Sequence, residues 1–591
     1  MTEITAGANN VRLVGDTSPF EVSLTSTTIT EDVEEIRLHL RSQTPARPGQ
    51  MELLFNMPCV DVYAPWAPLL NRHRSLPPDW TTPYSGSAAR GAPVACLFSG
   101  TGDNRVTVAL SDALRPARMR ANIREENARL ECGAVIFENS VDSYTEYSVT
   151  LRIDRRAVPY YQSLNDVRLW WERQPGYEPA PVPDSARLPV YSTWYSFHQD
   201  IRPDEIEREC RLAKELGCES VIVDDGWMCE GNERGYAHCG DWEAYTQKFP
   251  DMAGHVRRVH EIGMKYILWY SVPFVGLETK AGKRFKGYTL LPNLEKPEWA
   301  VFDPRYPAVR EYLIGIYETA VRDWDLDGFK LDFVDAFHAG ADAPAFPEET
   351  DCNSVPEGVD KLMTAIIQRL SALKPDICIE FRQPYIGPLM RKYGNMFRSG
   401  DCPADLVQNR VNTVDIRLLI GDSATHTDMV MWSPEEPVES AALQLINGLF
   451  AVPQISVLID QMPADHQEMI KFWLAFFREH RDLLLNAVIE PKNPEILYPQ
   501  VGVRGEQRGI VACYGPNIVS GLKSMPAELI LVNGTRTRGL LLADLPDGEY
   551  QVQIKDCKGI SLATHKIDAA DGAAISIDTP PAGIAILLRE G

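Results

Sequence analysis

The chain has 591 residues, of which 44% are hydrophobic and 24% are charged, with a formal net charge of −23 and an isoelectric point near 5.0. This length suggests roughly three or four domains with large hydrophobic cores. The acidic balance argues against nucleic acids and anionic membrane surfaces as partners, because both attract basic proteins, and it is compatible with a neutral substrate.

The first residues, MTEITAGANNVRLVGD, contain no basic segment followed by an apolar one, so we expect no signal peptide. No stretch reaches the ~18 consecutive apolar residues of a membrane span. The 12 cysteines are scattered without regular spacing, which favours reduced cytosolic thiols over a disulfide framework. We therefore expect a cytoplasmic protein without a membrane anchor.

Residues 1–185 are predicted to form an N-terminal β-sandwich domain. Short runs with alternating apolar and polar residues, such as FEVSLTSTTIT and SYTEYSVTLRID, lie between turns rich in Pro, Gly, Asn and Asp. The segment RQPGYEPAPVPDSARLP, residues 173–189, is rich in proline and predicts a linker.

Residues 186–482 alternate strand-like and helix-like runs. Amphipathic segments such as DEIERECRLAKELG and DKLMTAIIQRLSALK separate eight candidate strands. Eight such repeats over about 290 residues indicate a (β/α)₈ TIM barrel of the α/β class. The predicted strands are 188–196, 219–228, 264–272, 328–333, 376–384, 395–401, 424–432 and 452–459.

Residues 483–591 return to short alternating runs, among them GIVACYG, AELILVNG and EYQVQIKD. This pattern predicts a C-terminal antiparallel β-sandwich. The expected order is therefore a barrel flanked by two β domains.

Polar and aromatic residues collect at the carboxyl ends of the predicted barrel strands, where barrel enzymes place their chemistry. A sugar needs this mixture, because aromatic faces stack on its C–H surface and carboxylates accept hydrogen bonds from its hydroxyls. Any single Trp, however, is more often packed in a core than exposed to a ligand. The strand ends carry Trp194 and Tyr195, Asp224, Asp225 and Trp227, Trp269 and Tyr270, Lys330 and Asp332, Glu380, Arg382 and Gln383, Arg398 and Asp401, and His426, Asp428 and Trp432.

The fourth strand, GFKLDF, carries an unusual pair for a core strand. Lys330 and Asp332 are two residues apart and so lie on one face. A structural ion pair is the alternative interpretation, but a buried pair contributes little stability, which favours function. Asp335 and Asp405 are carboxylates near Asp332 and Asp401 in the sequence, and they remain alternatives to those two residues.

With these residues placed, the chain resembles glycoside hydrolase family 36, and more distantly family 27, the α-galactosidases. The motifs that carry the resemblance are VIVDDGW at strand 2, DGFKLDF at strand 4 and FRSGDCPAD at strand 6. STWYSFHQDI resembles the family's segment at strand 1 without its Asn and Glu. The order of β domain, barrel and β domain also matches.

The resemblance implies a retaining double displacement, and we expect no cofactor. Asp332 would be the nucleophile, and Asp401 would be the general acid and then the general base. Lys330 would keep the nucleophile ionised. Further substrate contacts implied by the resemblance and by the strand ends are Trp194, Asp224, Asp225, Trp227, Trp269, Lys330, Arg382 and Arg398, of which Asp224 and Asp225 would read the O4 and O6 hydroxyls of galactose.

Strand 5 departs from the family pattern, because CIEFRQPYIGP replaces its usual Cys and glycines. An Arg at this position can meet an acidic or amide-bearing group. The same chemistry on an α-N-acetylgalactosaminide, a β-L-arabinopyranoside or an unusual glycoside therefore stays open, as does transglycosylation. After strand 6, Asp-Cys-Pro-Ala-Asp leaves Asp405 as the alternative acid.

Two other classes of function fit the sequence less well. A carbohydrate-binding protein on a decayed barrel would have lost a carboxylate, and both are present here. A metal-dependent hydrolase would need paired ligands, yet His426 stands without a partner at ligand spacing, and Cys229, His238 and Cys239 fit no zinc pattern. We expect a carbohydrate substrate and no metal, and assembly into a homo-oligomer stays open.

Overall fold

The computed structural model describes residues 4–81, 84–138, 140, 142–231, 235–290, 298–338, 348–524, 526–570 and 573–590. Eight parallel strands close into a barrel at its centre. All eight predicted barrel strands are confirmed. In chain order, barrel strands 1 to 8 are Val190–Ser192, Ser220–Val223, Lys265–Ser271, Gly328–Asp332, Cys378–Arg382, Met396–Arg398, Ala424–Val430 and Val452–Ile455.

Helices surround the barrel and connect its strands. Their ends follow local signals: the side chain of Asp251 caps one helix start, and Gly217 and Gly263 end two helices in the left-handed conformation that glycine favours. The helices are Trp194–Phe197, Pro203–Leu216, Met252–Ile262, Lys280–Arg284, Pro307–Trp324, Val355–Leu373, Leu406–Ile420, Val438–Asn447 and Ala464–Asn486. A small sheet of Phe274–Gly276, Thr289–Leu290 and Trp299–Phe302 lies after barrel strand 3.

Two six-stranded sheets precede the barrel and share one hydrophobic core, as the predicted sandwich requires. One contains Ile4–Ala6, Val11–Gly15, Met51–Pro58, Arg129–Ile136, Ala117–Arg124 and Tyr84–Gly86. The other contains Glu21–Thr30, Val33–Ala46, Tyr144–Asp154, Asn104–Leu110, Val94–Phe98 and Ala64–Trp66.

The all-β prediction for residues 1–185 missed one helix, Tyr160–Glu172. Its apolar residues recur three or four positions apart and are buried, among them Leu164, Val167 and Trp171. The Trp171 indole nitrogen donates to the Leu110 carbonyl at 2.7 Å. The helix therefore joins the N-terminal sheets to the barrel, against which it also packs.

Two sheets follow the barrel and share a second core, as predicted. Their pairing is antiparallel except where Arg508–Cys513 meets Glu528–Asn533 and where Ile518–Val519 meets Leu540–Leu542, which are parallel pairs. The remaining strands are Ile489–Lys492, Gln500–Arg504, Gly548–Lys555, Ser561–Ala569, Ile575–Ile577 and Ile584–Arg589. The exact domain bounds remain a prediction. In the described part of the chain, no helix is both long and apolar enough to cross a membrane.

Candidate active site

Barrel strand 4 places its two charged residues inside the barrel and its apolar residues outside. Phe329 and Leu331 are completely buried, and Phe329 packs against Tyr317 of the surrounding helix Pro307–Trp324. Lys330 and Asp332 alternate with them and therefore point the other way. The core strand holds this charged pair because the Lys330 and Asp332 side chains line the barrel interior near the carboxyl end of the strand.

The Asp332 carboxylate is surrounded by hydrogen-bond donors. One oxygen accepts from Arg382 Nε at 2.7 Å and from the Tyr385 hydroxyl at 2.6 Å. The other accepts from the Trp269 indole nitrogen at 3.0 Å. Arg382 and Lys330, together with these donors, hold the pKa of Asp332 well below its usual range despite burial. The carboxylate is therefore ionised, as a nucleophile must be.

The residue after Asp332 has a strained backbone. Phe333 has a φ of 63°, which is rare for a bulky side chain. This conformation lets its N–H donate to Asp332 at 2.8 Å and to the Tyr385 oxygen at 3.1 Å. Strain of this kind persists where the surroundings hold a functional geometry. Sequence analysis missed Tyr385, although it lies three residues beyond Arg382 at a predicted strand end.

Lys330 pairs with the strand 2 carboxylate rather than with Asp332. Its Nζ lies 2.5 Å from Asp224 Oδ2, and both side chains are almost fully buried. Burial raises the pKa of Asp224 against the opposing effect of Lys330. The Asp225 N–H donates to the other Asp224 oxygen at 2.9 Å, so the Asp224 carboxylate is fixed in orientation.

The strand 6 segment forms a charged chain with strand 7. Arg398 donates to Asp401 at 2.9 Å and also to Asp428. The Tyr195 hydroxyl and the Cys402 N–H donate to the other Asp428 oxygen at 2.9 and 2.6 Å. Arg398 and Asp428 are completely buried, whereas the Asp401 side chain is 50% exposed. Of the two carboxylates to which Arg398 donates, Asp401 is thus accessible to a ligand from solvent and Asp428 is not.

Asp401 and Asp332 share one electrostatic environment. Arg398, Lys330 and Arg382 lower the pKa of Asp401, while the charge of Asp332 raises it. Barrel strands 4, 5 and 6 are adjacent and in register, which brings these side chains to one rim. The two predicted catalytic carboxylates are therefore brought together, and Asp401 is ionised in the unliganded protein.

Of the two alternative carboxylates, Asp405 has other surroundings, whereas Asp335 lies close enough to Arg382 and Asp332 for their charges to affect its pKa. Asp405 caps the helix Leu406–Ile420 by accepting from the Gln408 N–H at 3.0 Å, and it pairs with Arg72 of the N-terminal region. Burial raises the pKa of Asp335, one of whose oxygens is buried without a hydrogen-bond partner in the described part of the chain.

The predicted aromatic contacts divide into three situations. Trp194 is half-buried, lies on a short helix rather than on the strand, and stacks on His198. Trp269 is buried and donates to Asp332, so it orients that carboxylate. Trp227 is completely buried among Trp242, Tyr270 and Trp324, and its nitrogen donates to the Trp269 carbonyl. Because its ring is completely buried, the geometry gives no support to a contact between Trp227 and the substrate, and that contact stays a prediction.

The interior of the barrel below the rim is also polar. Glu380 accepts from Gln454, and burial raises the pKa of Glu380 to about 6. His426 lies 2.8 Å from the carbonyl of Ala186, which precedes barrel strand 1, and burial lowers its pKa to about 3. His426 is therefore a neutral residue at the opposite end from the rim, and it is not placed to serve a metal there.

Three possible metal ligands meet elsewhere at the rim. Ligand atoms of Asp225, Cys229 and His238 lie within 4.8 Å of one another. Of the cluster considered from sequence, Cys239 is instead completely buried. Burial and Asp225 raise the pKa of Cys229 to about 11, so the thiol is protonated at neutral pH.

Comparison with known proteins agrees with this architecture. The melibiase family profile matches residues 183–487. The α-galactosidase Mel36A of Lactobacillus acidophilus is 28% identical over 159 residues, which are 26% of this chain and 20% of that protein. An A type blood α-D-galactosamine galactosaminidase of Flavonifractor plautii is 24% identical over 196 residues, 30% of this chain and 17% of that protein. The alignments thus span less than a quarter of these relatives' lengths.

Solved structures match over nearly the whole chain. A variant of the GH36 α-galactosidase AgaA from Geobacillus stearothermophilus, in complex with raffinose, has a TM-score of 0.66 at 14% identity and covers 98% of this chain and 83% of its own. The α-galactosidase from Lactobacillus brevis has a TM-score of 0.64 at 13% identity, with 99% and 87% covered. At these identities the likeness concerns the fold.

Proposed function

Because the chain belongs to the melibiase family, we propose that it is a retaining, exo-acting glycoside hydrolase that releases terminal α-linked galactose. The observation that carries the proposal is the pair of rim carboxylates. Asp332 is held ionised by four donors, and the half-exposed Asp401 lies in the same field of charges. The names of the aligned relatives and the raffinose complex of AgaA support the choice of sugar.

In the proposed reaction, Asp332 attacks the anomeric carbon and forms a covalent glycosyl-enzyme while Asp401 gives its proton to the leaving oxygen. Asp401 then removes a proton from water, which hydrolyses the intermediate. For this outcome the two carboxyl groups need to be roughly 5–5.5 Å apart across the sugar. Trp269 and Tyr385 contribute by fixing the orientation of the nucleophile.

Asp401 faces a specific demand in this reaction. Arg398 keeps its carboxylate ionised in the free protein, yet the first step needs it protonated. A general acid works best with a pKa near the operating pH. We infer that Asp401 binds its proton at acidic pH or together with the substrate.

The remaining rim residues suit the recognition of sugar hydroxyls. Asp224 and Asp225 are oriented acceptors for O4 and O6, and Lys330 and Arg398 are donors for hydroxyls nearer C2 to C4. An axial O4 distinguishes galactose from glucose, so the Asp-Asp pair carries the choice of galactose.

A second candidate sugar is α-linked N-acetylgalactosamine. Arg382 lies beside the nucleophile at strand 5, and its guanidinium faces the rings of Phe333 and Tyr385. The Flavonifractor relative is named for a galactosamine substrate. An amide carbonyl at C2 could accept a hydrogen bond from this guanidinium.

We further infer that the enzyme acts in the cytoplasm. All twelve cysteines are free thiols, and nine of them are buried. This usage is typical of a reducing compartment.

The test is hydrolysis of a panel of aryl glycosides with the configuration of the first product followed by proton NMR. We expect the α-galactoside to be cleaved fastest and α-galactose to appear before mutarotation forms the β-anomer. Faster cleavage of the α-N-acetylgalactosaminide would reassign the sugar. Early β-anomer would contradict retention, and glycan binding without turnover at any pH would contradict catalysis.

A further inference from the structure

A group of zinc-type donors lies next to the hydroxyl-reading Asp-Asp pair. Atoms of Asp225, Cys229 and His238 come within 4.8 Å of one another. Asp225 belongs to the turn that follows barrel strand 2, Cys229 comes directly after that turn, and His238 lies nine residues further along the chain. The proposed reaction uses only Asp225 and leaves Cys229 and His238 without a role.

The donor types and their spacing suit a borderline-soft divalent cation. Zinc takes carboxylate oxygen, imidazole nitrogen and thiolate sulfur at about 2.0–2.3 Å in a tetrahedron, which puts neighbouring ligand atoms roughly 3.5 Å apart. His238 Nε2 already lies 3.3 Å from Asp225 Oδ1. Asp225 is buried while the other two are half-buried, so the group is partly open to solvent.

Buried neighbours hold Asp225 in place. Gln199, which is completely buried, donates its amide to Asp225 Oδ2 at 2.6 Å. Partners of this kind orient metal ligands. The Gln199 Oε1 atom is buried without a hydrogen-bond partner in the described residues, so it remains available to a metal-bound water.

The backbone around the turn is fixed as well. Lys248 donates to the carbonyls of Gln199 and Gly226 at 2.8 and 3.2 Å. Gly226 has a φ of 113°, and a Cβ there would lie 2.7 Å from the Gln199 backbone. The two segments therefore pack at a distance that only glycine allows, which preorganises the carboxylate.

We propose that Asp225, Cys229 and His238 form a binding site for a divalent cation of the zinc class. On binding, Cys229 releases its thiol proton to solvent and coordinates through sulfur. His238 coordinates through one neutral ring nitrogen, and Asp225 through one carboxylate oxygen. Water completes the fourth position.

This site has a consequence that rests on the proposed function. A cation on Asp225 removes an acceptor from the sugar hydroxyls, so the metal inhibits turnover in competition with the substrate. The cation is thus a regulator of access rather than a participant in the displacement, which the carboxylates perform without it.

The binding test uses cobalt(II) titrated into the metal-free, full-length protein, because a cobalt–thiolate bond gives a charge-transfer band in the near ultraviolet. We expect one equivalent to produce the band, and zinc to remove it. Cys229→Ser should abolish the band, and His238→Asn should weaken binding at least about tenfold. Cys59→Ser, a half-buried thiol of the N-terminal region, is the matched control and should keep it. A missing band, or one that persists in Cys229→Ser, would overturn the site.

The inhibition test compares zinc titrations of the wild type and Cys229→Ser with the preferred aryl glycoside. We expect zinc to raise KM at constant kcat in the wild type and to have at least tenfold less effect on the variant, whose KM without zinc stays unchanged. Zinc that binds without raising KM would overturn the competition. If the protein had no glycosidase activity, the proposed function would be wrong. The cobalt band would still test the metal site, because it does not depend on turnover.

Discussion

Two buried carboxylates, Asp332 at the barrel rim and Asp415 on the helix Leu406–Ile420, show how the same chemical group serves different ends. Asp415 accepts from the Trp66 indole at 2.9 Å, from Arg74 at 2.7 Å and from the Tyr498 hydroxyl. We call these four residues the junction cluster, because they tie the N-terminal region, a barrel helix and the connection between the C-terminal strands Ile489–Lys492 and Gln500–Arg504.

The two sites differ in charge balance and in access. Burial outweighs the single cation Arg74 and raises the pKa of Asp415, whereas two cations lower that of Asp332. The Asp415 and Arg74 side chains are 3% and 1% exposed, yet Asp401 at the rim is 50% exposed. The junction cluster is therefore closed and structural, while the rim leaves one carboxylate open to a ligand.

The largest expected effect comes from removing Asp332, the proposed nucleophile. Asp332→Ala should lower kcat/KM for the preferred aryl glycoside roughly 10⁴-fold or more, because no other group can form the covalent intermediate. Asp335→Ala, three residues away, is the matched control and should keep near-normal rates. Steady-state kinetics on both variants checks this, and a near-normal Asp332→Ala enzyme would show that the nucleophile is misassigned.

Removal of the open carboxylate should come next. Asp401→Ala should lower turnover of a glycoside with a poor leaving group by about 10²–10⁴-fold, the range typical of general acid catalysis. A nitrophenyl leaving group needs no protonation, so its glycosylation step should suffer far less, and azide should restore turnover by replacing the water that Asp401 activates. Equal losses for both leaving groups, without azide rescue, would contradict the assignment.

Substitutions in the junction cluster should lower the stability of the protein and leave its activity unchanged. Asp415→Ala leaves the Arg74 guanidinium buried without its counter-ion and should lower the free energy of unfolding by about 3–5 kcal/mol. Urea unfolding measures the loss, and kcat per folded molecule should stay unchanged. The double variant Arg74→Met with Asp415→Leu should recover part of the stability. A full loss of activity in folded Asp415→Ala would remove the contrast with the rim.

The pH profile sharpens the comparison without any substitution. Arg398 lowers the pKa of Asp401 in the free protein. A general acid must be protonated, so kcat/KM with a poor leaving group should fall about tenfold per pH unit above that pKa, with an optimum on the acidic side. The pH dependence of kcat/KM reports the pKa values of the free enzyme. If kcat/KM stayed constant through neutral pH, the general acid would be a carboxylate whose pKa is raised instead of Asp401.

The rim was readable from the sequence because each charged residue interrupts a strongly apolar run. Lys330 and Asp332 lie inside a core strand, and Asp224 follows the run VIV. Each of these charged residues interrupts the local apolar pattern. The junction cluster carries no such mark: Trp66 and Asp415 are 349 positions apart, and only the packing of separate regions joins them. Tyr385 lies between these two extremes. Its position next to a predicted strand end could be read from the sequence, but it carries no charge that would distinguish it from a core residue.

The fold shows the same division. Strict strand and helix alternation predicted all eight barrel strands, because each repeat has its own apolar period. The helix Tyr160–Glu172 was missed although its apolar spacing is helical, since the surrounding β pattern dominated the interpretation. Positions such as the φ of Phe333 depend on tertiary contacts and have no local signature.

The smallest expected effect concerns the second carboxylate after strand 6. Asp405→Ala removes a helix cap and an exposed ion pair with Arg72, so it should cost about 1 kcal/mol of stability. Asp405→Asn keeps a capping oxygen and should cost less, which separates the two contributions in urea unfolding. Activity of both variants should stay within about twofold of wild type, because the carboxylate is held at the helix end by Arg72 and the Gln408 N–H. A hundredfold loss of activity in folded Asp405→Ala would instead assign the general acid to Asp405. The exposure of Asp401 and the charges around it would then not identify the catalytic carboxylate.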